Sequence, residues 1–529
     1  MRHIVIRKLM ISAILGVISS LILARNLFLP ISVFDEGFIL VGASRVLDGA
    51  IPHKDFFSTY PPGQYYILSG LFSLLGKTVA VERFWDLGVR CGIAVAGFWL
   101  VRSIASIRLA LVSFIALTTW LWFLCMPGFP GYPFLLCAFI CVGTLIRSQL
   151  AGSSWLTSLA GLFAGAAMLF RHDMGLMLIL GMTVVLILFP LHAMHHQYSI
   201  QKGQWRNLWS FLALAIFILL VGFGRIISAG GGRDLCQQLL EWPRTYIAYT
   251  RLPYPSPIKL FDFSNVHSLK SLGHHLVYDG LPVVLPSVLI LSTLFAGWQI
   301  RHKSELQISD RMLILLLVVA LSTLHYAVVR SDMEHFGPLA LVLIPLSFVW
   351  LVGLGRCFPR ISIGLGWLVA SFWCLPLGVY AFRLSGPIPT IPTNLSNTVE
   401  YLNKHHSGDA IYVGVENHDR FVFSSVVLYF LTECRCPTRH HWLQTGVVTT
   451  LAVQQEIIAE LTSNRVQAVV LTPGMMREPN ESNRDQGVNL LDHYLADHYQ
   501  TATNFGEYRI MDRRLFPLPD INPSSTEAR

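Results

Sequence analysis

The chain alternates between long apolar runs and short polar connections as far as about residue 382. A helix needs about 20 residues to cross the hydrocarbon core of a bilayer. About eleven runs approach that length, and each predicts a membrane-spanning helix. They cover residues 9–29, 85–101, 109–126, 131–146, 155–170, 174–191, 208–223, 281–300, 312–329, 336–354 and 361–382. A further apolar stretch, 64–76, has only about 13 residues, so we expect a helix that lies at the membrane interface without crossing.

The charges in the connections predict which side of the membrane each one occupies. Cytoplasmic loops carry an excess of Lys and Arg. The first run follows a basic N-terminus and lacks a small-residue cleavage site, so we place the N-terminus in the cytoplasm. Counting from there, every predicted inner connection is basic, whereas the short outer connection MPGFPGY carries no charge. The inner residues are Arg102, Arg108, Arg147, Lys202, Arg206, Arg301, Lys303, Arg311, Arg356 and Arg360.

The pattern changes near residue 384, after a Pro-rich connection. We therefore predict two domains, a membrane domain over 1–384 and an extracytoplasmic domain over 385–529. In the second, β-type runs at 410–415, 466–471 and 507–512 alternate with helical patterns, which predicts a small α/β domain. The helical patterns cover 398–405, 421–431, 453–461 and 490–499. This domain could bind the acceptor or act as a structural lid. Its two His-His pairs, at 405–406 and 440–441, lack the spacing of metal ligands, so we expect them at the surface.

Composition excludes a soluble protein. Of the 529 residues 53% are hydrophobic and only 13% are charged, with a mean hydropathy of +0.53, whereas soluble domains have about 25% charged residues. The net charge of +8 sits largely in short loops, and no nucleic-acid motif accompanies it. The 9 cysteines are scattered without zinc-ligand spacing. We predict no metal site and no cofactor. The sequence does not determine whether the protein requires a divalent ion.

Three mixed clusters of acids and bases are predicted on the outer side: the first lies in the loop at 35–55, the second at 171–173 and the third at 330–335. Acids can deprotonate an acceptor hydroxyl, while cations stabilise the charge on a departing phosphate. Together these needs describe glycosyl transfer, hexosyl or pentosyl, from a phosphate-linked sugar whose polyprenyl chain stays in the lipid. Arg171 taken alone would more often be an interfacial anchor than a binding residue. The candidate substrate-binding residues are Lys54, Asp55, Tyr60, Arg171, His172, Arg330, Asp332 and His335, and the candidate catalytic residues are Asp35 and Glu36.

A transporter or flippase for a lipid-linked or polar solute is the alternative function. Transporters favour polar residues at the bilayer midplane and internal repeats. Here the charges gather at the ends of the runs, and the two halves show no repeat. A noncatalytic scaffold is a third hypothesis, although it leaves the acidic pair at 35–36 without a task.

The first outer loop resembles that of the glycosyltransferase-C superfamily, which includes protein O-mannosyltransferases and lipid A aminoarabinose transferases. The matching residues are Asp35-Glu36, the stretch GAIPHKDF at 49–56, Tyr60-Pro61-Pro62-Gly63 and Glu82-Arg83. The resemblance implies a polyprenyl-phosphate sugar donor, transfer with inversion to a lipid, glycan or protein acceptor, and no direct use of a nucleotide sugar. It also implies that Asp35 is the base, with Glu36 assisting it or holding structure.

One residue departs from that resemblance. The aminoarabinose transferases have a Lys directly before Pro-Pro that helps to bind the donor phosphate, whereas this chain has Tyr60. The phosphate must then be met by Lys54, Arg171, Arg330 or His335. Tyr60 itself could stack on a sugar or serve as an interfacial aromatic.

Overall fold

The computed structural model describes residues 2–193, 201–303, 305–378, 392–420, 423–474 and 480–515. It divides into two compact units, each assembled from separate stretches of chain. The first unit comprises Met1–Leu29, Tyr60–Ala229 and Leu252–Pro389; the second comprises Pro30–Thr59, Gly230–Arg251 and Thr390–Arg529. The domain boundary predicted near residue 384 lies outside the described residues. Two stretches that precede it in sequence, 30–59 and 230–251, cluster with the C-terminal part.

The helices and strands follow one another along the chain as listed here. They are α1 (Arg2–Leu23), α2 (Asp35–Leu47), α3 (Gly63–Leu75), α4 (Val79–Arg102), α5 (Ile107–Phe123), α6 (Gly131–Ala151), α7 (Ser154–Phe170), α8 (His172–Ala193), α9 (Gln201–Ser228), α10 (Gly232–Cys236), α11 (Trp242–Thr250), α12 (Leu269–Tyr278), α13 (Leu281–His302), α14 (Ile308–Val329), α15 (Met333–Cys357), α16 (Pro359–Trp373), α17 (Thr393–His406), β1 (Ile411–Val415), α18 (Leu428–Leu431), α19 (Leu451–Ser463), β2 (Ala468–Thr472), α20 (Leu490–His498), β3 (Tyr499–Phe505) and β4 (Tyr508–Arg513). Short 3-10 turns cover Ala24–Phe28, Pro257–Phe261 and Glu481–Asn483, and one π turn covers Gln237–Glu241.

Each of the eleven apolar runs coincides with a helix of the first unit, although the end of the last run, from residue 379, lies outside the described residues. Among the described residues, 8 helices are long and apolar enough to cross a membrane. The helices α5, α7 and α8 are apolar but shorter. The apolar window of α15 is 94% buried, whereas those of α1 and α16 are 11% buried. Helix α15 is therefore the centre of the bundle, and the exposed apolar sides of α1 and α16 suit contact with lipid.

Helices α1 and α4 run antiparallel, which fixes the path of the chain between them. Near one end Trp99 Nε1 donates to Ser12 Oγ at 2.9 Å. Near the other end Arg83 Nη1 donates to the carbonyl oxygens of Leu27 and Leu29 at 2.8 and 2.7 Å. The chain thus leaves α1 and enters α4 at the same end of the bundle. The short helix α3 does not cross between the ends, as its length predicted.

The predicted inner connections also meet at one end of the bundle. Arg311, in the first turn of α14, donates from Nη1 to Gln149 Oε1 near the end of α6 at 3.2 Å. Arg356, at the end of α15, donates from Nη1 to Ser309 Oγ at 2.6 Å and also to Gln307. These contacts join three connections. The alternation of charge predicts that all three lie on the cytoplasmic side of the membrane.

The tightest helix pair in the first unit is α7 with α9, and two glycines make it possible. A Cβ at Gly161 would clash with the carbonyl oxygen of Phe211, and one at Gly165 would lie 2.6 Å from the carbonyl oxygen of Ala215. The two glycines are four residues apart and so share one face of α7. Small residues at this spacing let helix backbones approach closely within membranes.

The second unit contains a four-stranded mixed sheet in the order β1-β2-β4-β3. β1 pairs with β2 in parallel, and the other neighbours are antiparallel. β1 and β2 are buried along their whole length, which explains why they appear in the sequence as uninterrupted apolar runs. The strands at 410–415, 466–471 and 507–512 were predicted nearly in place, but β3 was missed because its residues are largely polar. Within the predicted helix 421–431 only α18 is helical among the described residues.

Arg439 ties the three stretches of the second unit together. Its Nη2 donates to the carbonyl oxygen of His53 at 3.0 Å and to Asp234 Oδ1 at 2.6 Å. Its carbonyl oxygen accepts from the Phe57 amide at 3.0 Å. Gln238 adds a second link, because its Oε1 accepts from Ser58 N at 3.0 Å and its Nε2 donates to His53 O at 2.8 Å. The first loop is thus held directly by the C-terminal part of the chain.

The expectation that His440 and His441 lie at the surface is wrong. Each is 1% exposed. Their rings pack among aromatic side chains of the second unit: His441 lies edge-on to Phe56 at 5.5 Å, and His440 lies 5.5 Å from the ring of Phe57. Their burial depends on residues that are far apart along the chain, which the local pattern around 440–441 does not reveal.

Candidate functional site

The motif Tyr60-Pro61-Pro62-Gly63 has a structural reason for its glycine. A Cβ at Gly63 would lie 2.6 Å from the carbonyl oxygen of Leu169, near the end of α7. Only glycine permits that approach without a shift of backbone. It brings the start of α3 against the connection between α7 and α8. The Tyr60 ring consequently lies 5.5 Å from the guanidinium of Arg171.

Arg171 occupies the single extended residue between α7 and α8, with φ −141° and ψ 97°. Its Nε and Nη2 donate to the two carboxylate oxygens of Asp173 at 3.0 and 2.6 Å. The residue is 3% exposed. Its guanidinium carbon lies 4.3 Å from the ring centre of Tyr326 and 5.8 Å from that of Phe129. The cation is fixed in place by one forked ion pair and by surrounding rings.

One nitrogen of this guanidinium remains available. Nη1 of Arg171 is buried and has no hydrogen-bond partner among the described residues. Leaving a charged donor buried without an acceptor is costly. Such a group is well suited to an anionic ligand, because its charge is already desolvated and its direction is set before the ligand arrives.

Two residues of α14 connect this arginine to the third predicted cluster. His325 Nε2 lies 3.0 Å from Asp173 Oδ2, and the Tyr326 ring lies 4.3 Å from the His335 ring. The stacked rings of Phe129 and Tyr326 are 6.0 Å apart. The predicted outer connections at 125–132, 171–173 and 330–335 therefore meet at one end of the first unit. Two of the predicted clusters, at 171–173 and 330–335, thus lie together, and the convergence of the first loop with them stays a prediction.

Asp332 organises the start of α15. Its Oδ1 accepts from the backbone N of His335 at 2.9 Å, as an N-cap does, and lies 2.7 Å from His335 Nδ1. Its Oδ2 accepts from Arg330 Nε at 2.8 Å. Burial acts to raise the pKa of this carboxyl, but hydrogen bonds from His335 and the charge of Arg330 hold it below its ordinary value. Asp332 is thus an ionised residue that orients both Arg330 and His335.

In the second unit, the acidic pair at 35–36 divides into an exposed and a buried member. Asp35 opens α2 with its side chain exposed, and its backbone N donates to Ser32 Oγ at 3.1 Å. Glu36 is fully buried and accepts from the backbone N of Ser32 at 3.1 Å. Gly37 lets α2 pack closely, since a Cβ there would lie 2.8 Å from Val427 N. This geometry makes Asp35 the accessible carboxylate and gives Glu36 a role in holding the turn.

The remaining predicted residues occupy less constrained positions. Lys54 and Asp55 are exposed in the second unit, and Asp55 Oδ2 accepts from Ile51 N at 2.7 Å within its own turn. His172 is half-buried at the start of α8 in the first unit. Arg171, Arg330 and His335 are called the arginine cluster below. That Asp35, Glu36, Lys54 and Asp55 act together with this cluster stays a prediction.

The sequence-based search missed Phe129, His325 and Tyr326 because they lie in or beside apolar runs, where they match ordinary helix residues. It also missed a buried ion pair inside α4, where Arg90 Nη2 lies 2.6 Å from Asp86 Oδ2. The signal was present, since an ionisable residue within a membrane span is rarely there without a function or a partner. Among the described residues, no group of three His, Cys, Asp or Glu side chains is arranged to hold a metal ion.

No protein-family model matches the sequence, and no curated protein matches it. Solved structures are similar in fold. The arabinofuranosyltransferase AftD from Mycobacteria aligns with a TM-score of 0.51 and 14% identity, covering 95% of this chain and 40% of AftD. ArnT from Cupriavidus metallidurans, bound to undecaprenyl phosphate, aligns with a TM-score of 0.47 and 13% identity over 96% of this chain and 97% of ArnT. The apo oligosaccharyltransferase of Archaeoglobus fulgidus aligns with a TM-score of 0.49 and 10% identity, over 87% of this chain and 69% of the oligosaccharyltransferase.

The match with AftD shows the fold of this chain, which spans less than half of AftD's own length. The fold is a bundle of apolar helices with a small mixed-sheet part, as the hydrophobic pattern predicted. The chain is a multi-pass membrane protein whose fold is similar to that of AftD, and its place in the glycosyltransferase-C superfamily stays an expectation from the first loop.

Proposed function

We propose that this protein is an integral membrane glycosyltransferase that moves a sugar from a polyprenyl-phosphate donor to an extracytoplasmic acceptor. The observation that carries the proposal is the buried guanidinium of Arg171, which is fixed by Asp173 and keeps Nη1 without a partner among the described residues. The fold shared with an arabinofuranosyltransferase supports it. The sugar is a hexose or a pentose, and the acceptor is a lipid, a glycan or a protein.

The donor phosphate binds at the arginine cluster in this proposal. Arg171 offers Nη1, while Arg330 and His335 are held beside it through Asp332 and Tyr326. Fixed donors stabilise developing negative charge without having to reorganise during the reaction. Tyr60, next to Arg171, would help to exclude water from the phosphate. The cluster takes the place of the lysine that precedes Pro-Pro in the aminoarabinose transferases.

Asp35 serves as the general base. It removes the proton of the acceptor hydroxyl as the oxygen attacks the anomeric carbon, and the bond between that carbon and the phosphate oxygen breaks. The polyprenyl phosphate leaves with the bonding electron pair. A single displacement of this kind inverts the anomeric configuration. Glu36, which is buried, holds the turn that presents Asp35.

The charge pattern supports an orientation with the N-terminus in the cytoplasm and the catalytic end outside. Native Cys236 is exposed in the second unit, and Arg301 is exposed in a predicted inner connection. A membrane-impermeant maleimide added to intact cells should label Cys236. A variant carrying both Cys236→Ser and Arg301→Cys should be labelled at 301 only after the membrane is opened. The reverse pattern contradicts the orientation.

Reconstituted vesicles test the proposed function. They are supplied with radiolabelled short-chain polyprenyl-phosphate hexoses and pentoses, together with an envelope-lipid and glycan extract as the acceptor source. Transfer predicts a new labelled glycoside and release of polyprenyl phosphate. Movement of the donor across the bilayer without a new glycoside indicates a transporter and contradicts the proposal. Comparing envelope lipids and glycans from cells that lack the protein then identifies the missing sugar.

A further inference from the structure

The connection between α11 and α13 forms a polar groove in the first unit, and the lining of this groove includes neither Arg171, Arg330 nor His335. It has a volume of about 560 Å³ and is lined by the turn at Pro257–Phe261, the loop that follows, and α12. Lys259, Asp262, His274, His275 and Asp279 supply its ionisable side chains. That volume is within the usual range for a small-molecule site.

His275 joins the two walls of this groove. Its Nδ1 lies 2.8 Å from Asp279 Oδ2, and its Nε2 lies 3.0 Å from the carbonyl oxygen of Leu260. These two contacts hold the Pro257–Phe261 turn against α12.

The groove presents both signs of charge. Lys259 is positive, while Asp262 and Asp279 are negative. The N-terminus of α12 adds little, because Ser268 Oγ already accepts from Ser271 N at 3.1 Å within a capping box. A ligand that carries both signs of charge is therefore the best match, and a purely anionic ligand would meet two carboxylates.

Large apolar side chains project beside the groove. Ile258 is 76% exposed, Phe261 is 75% exposed and Phe263 is 51% exposed. Phe263 also lies edge-on to the His275 ring at 5.0 Å, so the apolar edge and the polar groove are continuous. Exposing several large apolar residues together in water is unfavourable.

The position of the groove along the chain explains these apolar residues. Helix α12 ends at Tyr278, and α13, a candidate membrane span, begins at Leu281. Asp279 therefore precedes the start of the span by two residues, and His275 precedes Asp279 by about one helical turn, roughly 5 Å. The groove is at the depth of lipid headgroups, and its apolar edge is within reach of the acyl chains.

We propose that this groove binds the headgroup of a zwitterionic phospholipid of the surrounding leaflet. Asp262 and Asp279 meet the ammonium group, and Lys259 meets the phosphate, while His275 holds the two walls of the groove together. Ile258, Phe261 and Phe263 enter the acyl region beside the bound lipid. This site is independent of the proposed transfer reaction, since it uses none of the residues assigned to that reaction.

Photo-crosslinking of the full chain in phosphatidylcholine-free nanodiscs tests the proposal. The discs are made from a neutral glycolipid. Each disc preparation also contains one probe, either phosphatidylethanolamine or phosphatidylglycerol, with a diazirine near the glycerol. After irradiation, the labelled peptides are identified by mass spectrometry. We expect the phosphatidylethanolamine probe to label the peptides spanning residues 252–280 at least fivefold more than the phosphatidylglycerol probe.

Variants of exposed residues make the test specific without threatening the fold. Lys259→Gln and Asp262→Asn should each reduce labelling by phosphatidylethanolamine severalfold, and the double variant should reduce it to background. The matched control is His267→Ala, an exposed residue of the same loop that does not line the groove. Equal labelling by the two probes, labelling that stays at the unmodified level in the double variant, or no labelling of 252–280 overturns the proposal.

Discussion

Arg171 and Asp173 are two residues apart in the chain and form a forked ion pair, with Nε 3.0 Å from Oδ1 and Nη2 2.6 Å from Oδ2. The fork uses two of the three guanidinium nitrogens and leaves Nη1 for a ligand. It also holds the planar group beside the Tyr326 ring, 4.3 Å away. The chain thus keeps a buried cation in a fixed orientation at one end of an apolar bundle.

Arg171→Lys should distinguish the contribution of the positive charge to donor binding from that of the guanidinium's hydrogen-bond geometry. The ammonium keeps the positive charge, but it cannot form the fork with Asp173 and also present a second nitrogen to a phosphate. A charge-assisted hydrogen bond contributes about 1.5–3 kcal/mol, so the KM for the polyprenyl-phosphate donor should rise roughly ten- to hundredfold. Steady-state kinetics in detergent or nanodiscs measures this.

The control for that variant is Arg108→Lys, because Arg108 is exposed at the other predicted side of the membrane. It should leave the KM for the donor unchanged. An unchanged KM in Arg171→Lys, in protein with a normal thermal midpoint, would remove Arg171 from the donor site.

Gly161→Val should destabilise the helical unit. The added side chain meets the Phe211 carbonyl in α9, so α7 and α9 must separate. Overpacking of this kind typically costs about 1–3 kcal/mol or more, and the thermal midpoint in detergent should fall by several degrees. Gly297→Val in α13 is the matched control, because a Cβ at Gly297 has no neighbour within 4 Å. Equal midpoints for the two variants would refute this account of the α7–α9 contact.

The helices of the first unit were largely predictable because each is a local property of the chain. An uninterrupted apolar run long enough to cross a membrane predicts a helix without knowledge of its neighbours. The alternation of basic connections also predicted which ends meet, as the contacts of Arg311 and Arg356 bear out. Asp332 and His335 were found because charges at the end of a span stand out against an apolar background.

The parts that escaped prediction depend on contacts between distant segments. His325 and Tyr326 occur within LSTLHYAVV, where nothing local shows that they face Asp173 and Arg171. His440 and His441 resemble surface residues until Phe56 and Phe57, from the first loop, are placed against them. Likewise, the assignment of 230–251 to the second unit rests on the hydrogen bonds of Asp234 and Gln238.

Arg439→Ala should lower kcat, because Arg439 holds the first outer loop in place. Removing the guanidinium breaks the hydrogen bonds to the His53 carbonyl and to Asp234, so the loop that carries Asp35 becomes less ordered. We expect kcat to fall about tenfold or more with a smaller change in the KM for the donor, since misplacement of a base affects the chemical step. Arg484→Ala, an exposed arginine of the same unit, is the control.

A purely structural role for Arg439 would appear differently. In that case the thermal midpoint would fall while the folded fraction kept its normal kcat. Arg439→Lys is a second test, because the lysine keeps one hydrogen-bond donor for Asp234. It should recover part of the lost turnover, and failure to recover any would weaken the proposed link between this contact and Asp35.

Glu460 should make the stability of the second unit dependent on pH. Burial raises the pKa of its carboxyl to about 7, against an ordinary value of 4.5, even though the Arg439 amide donates to it. The folded state therefore binds more protons than the unfolded state between these values. Its contribution to stability is complete below about 4.5 and is lost as the pH rises through about 7.

Glu460→Gln removes this dependence. The variant should have a higher thermal midpoint than the parent at pH 8 and a similar one at pH 4.5, because the glutamine carries no charge to bury. Glu481→Gln, at an exposed position, should shift the midpoint equally at both pH values. A Glu460→Gln variant whose advantage is larger at pH 4.5 than at pH 8 would contradict the sign of this effect.

The rate of sugar transfer by Asp35→Asn tests the central claim most directly. Asp35 is exposed at the start of α2, and Asp48, exposed just after its end, provides the matched control Asp48→Asn. With both variants inserted and folded like the parent, Asp35→Asn should lose at least about a thousandfold in kcat, since it lacks the base, while Asp48→Asn should transfer at the parental rate. Parental turnover by Asp35→Asn would contradict the mechanism.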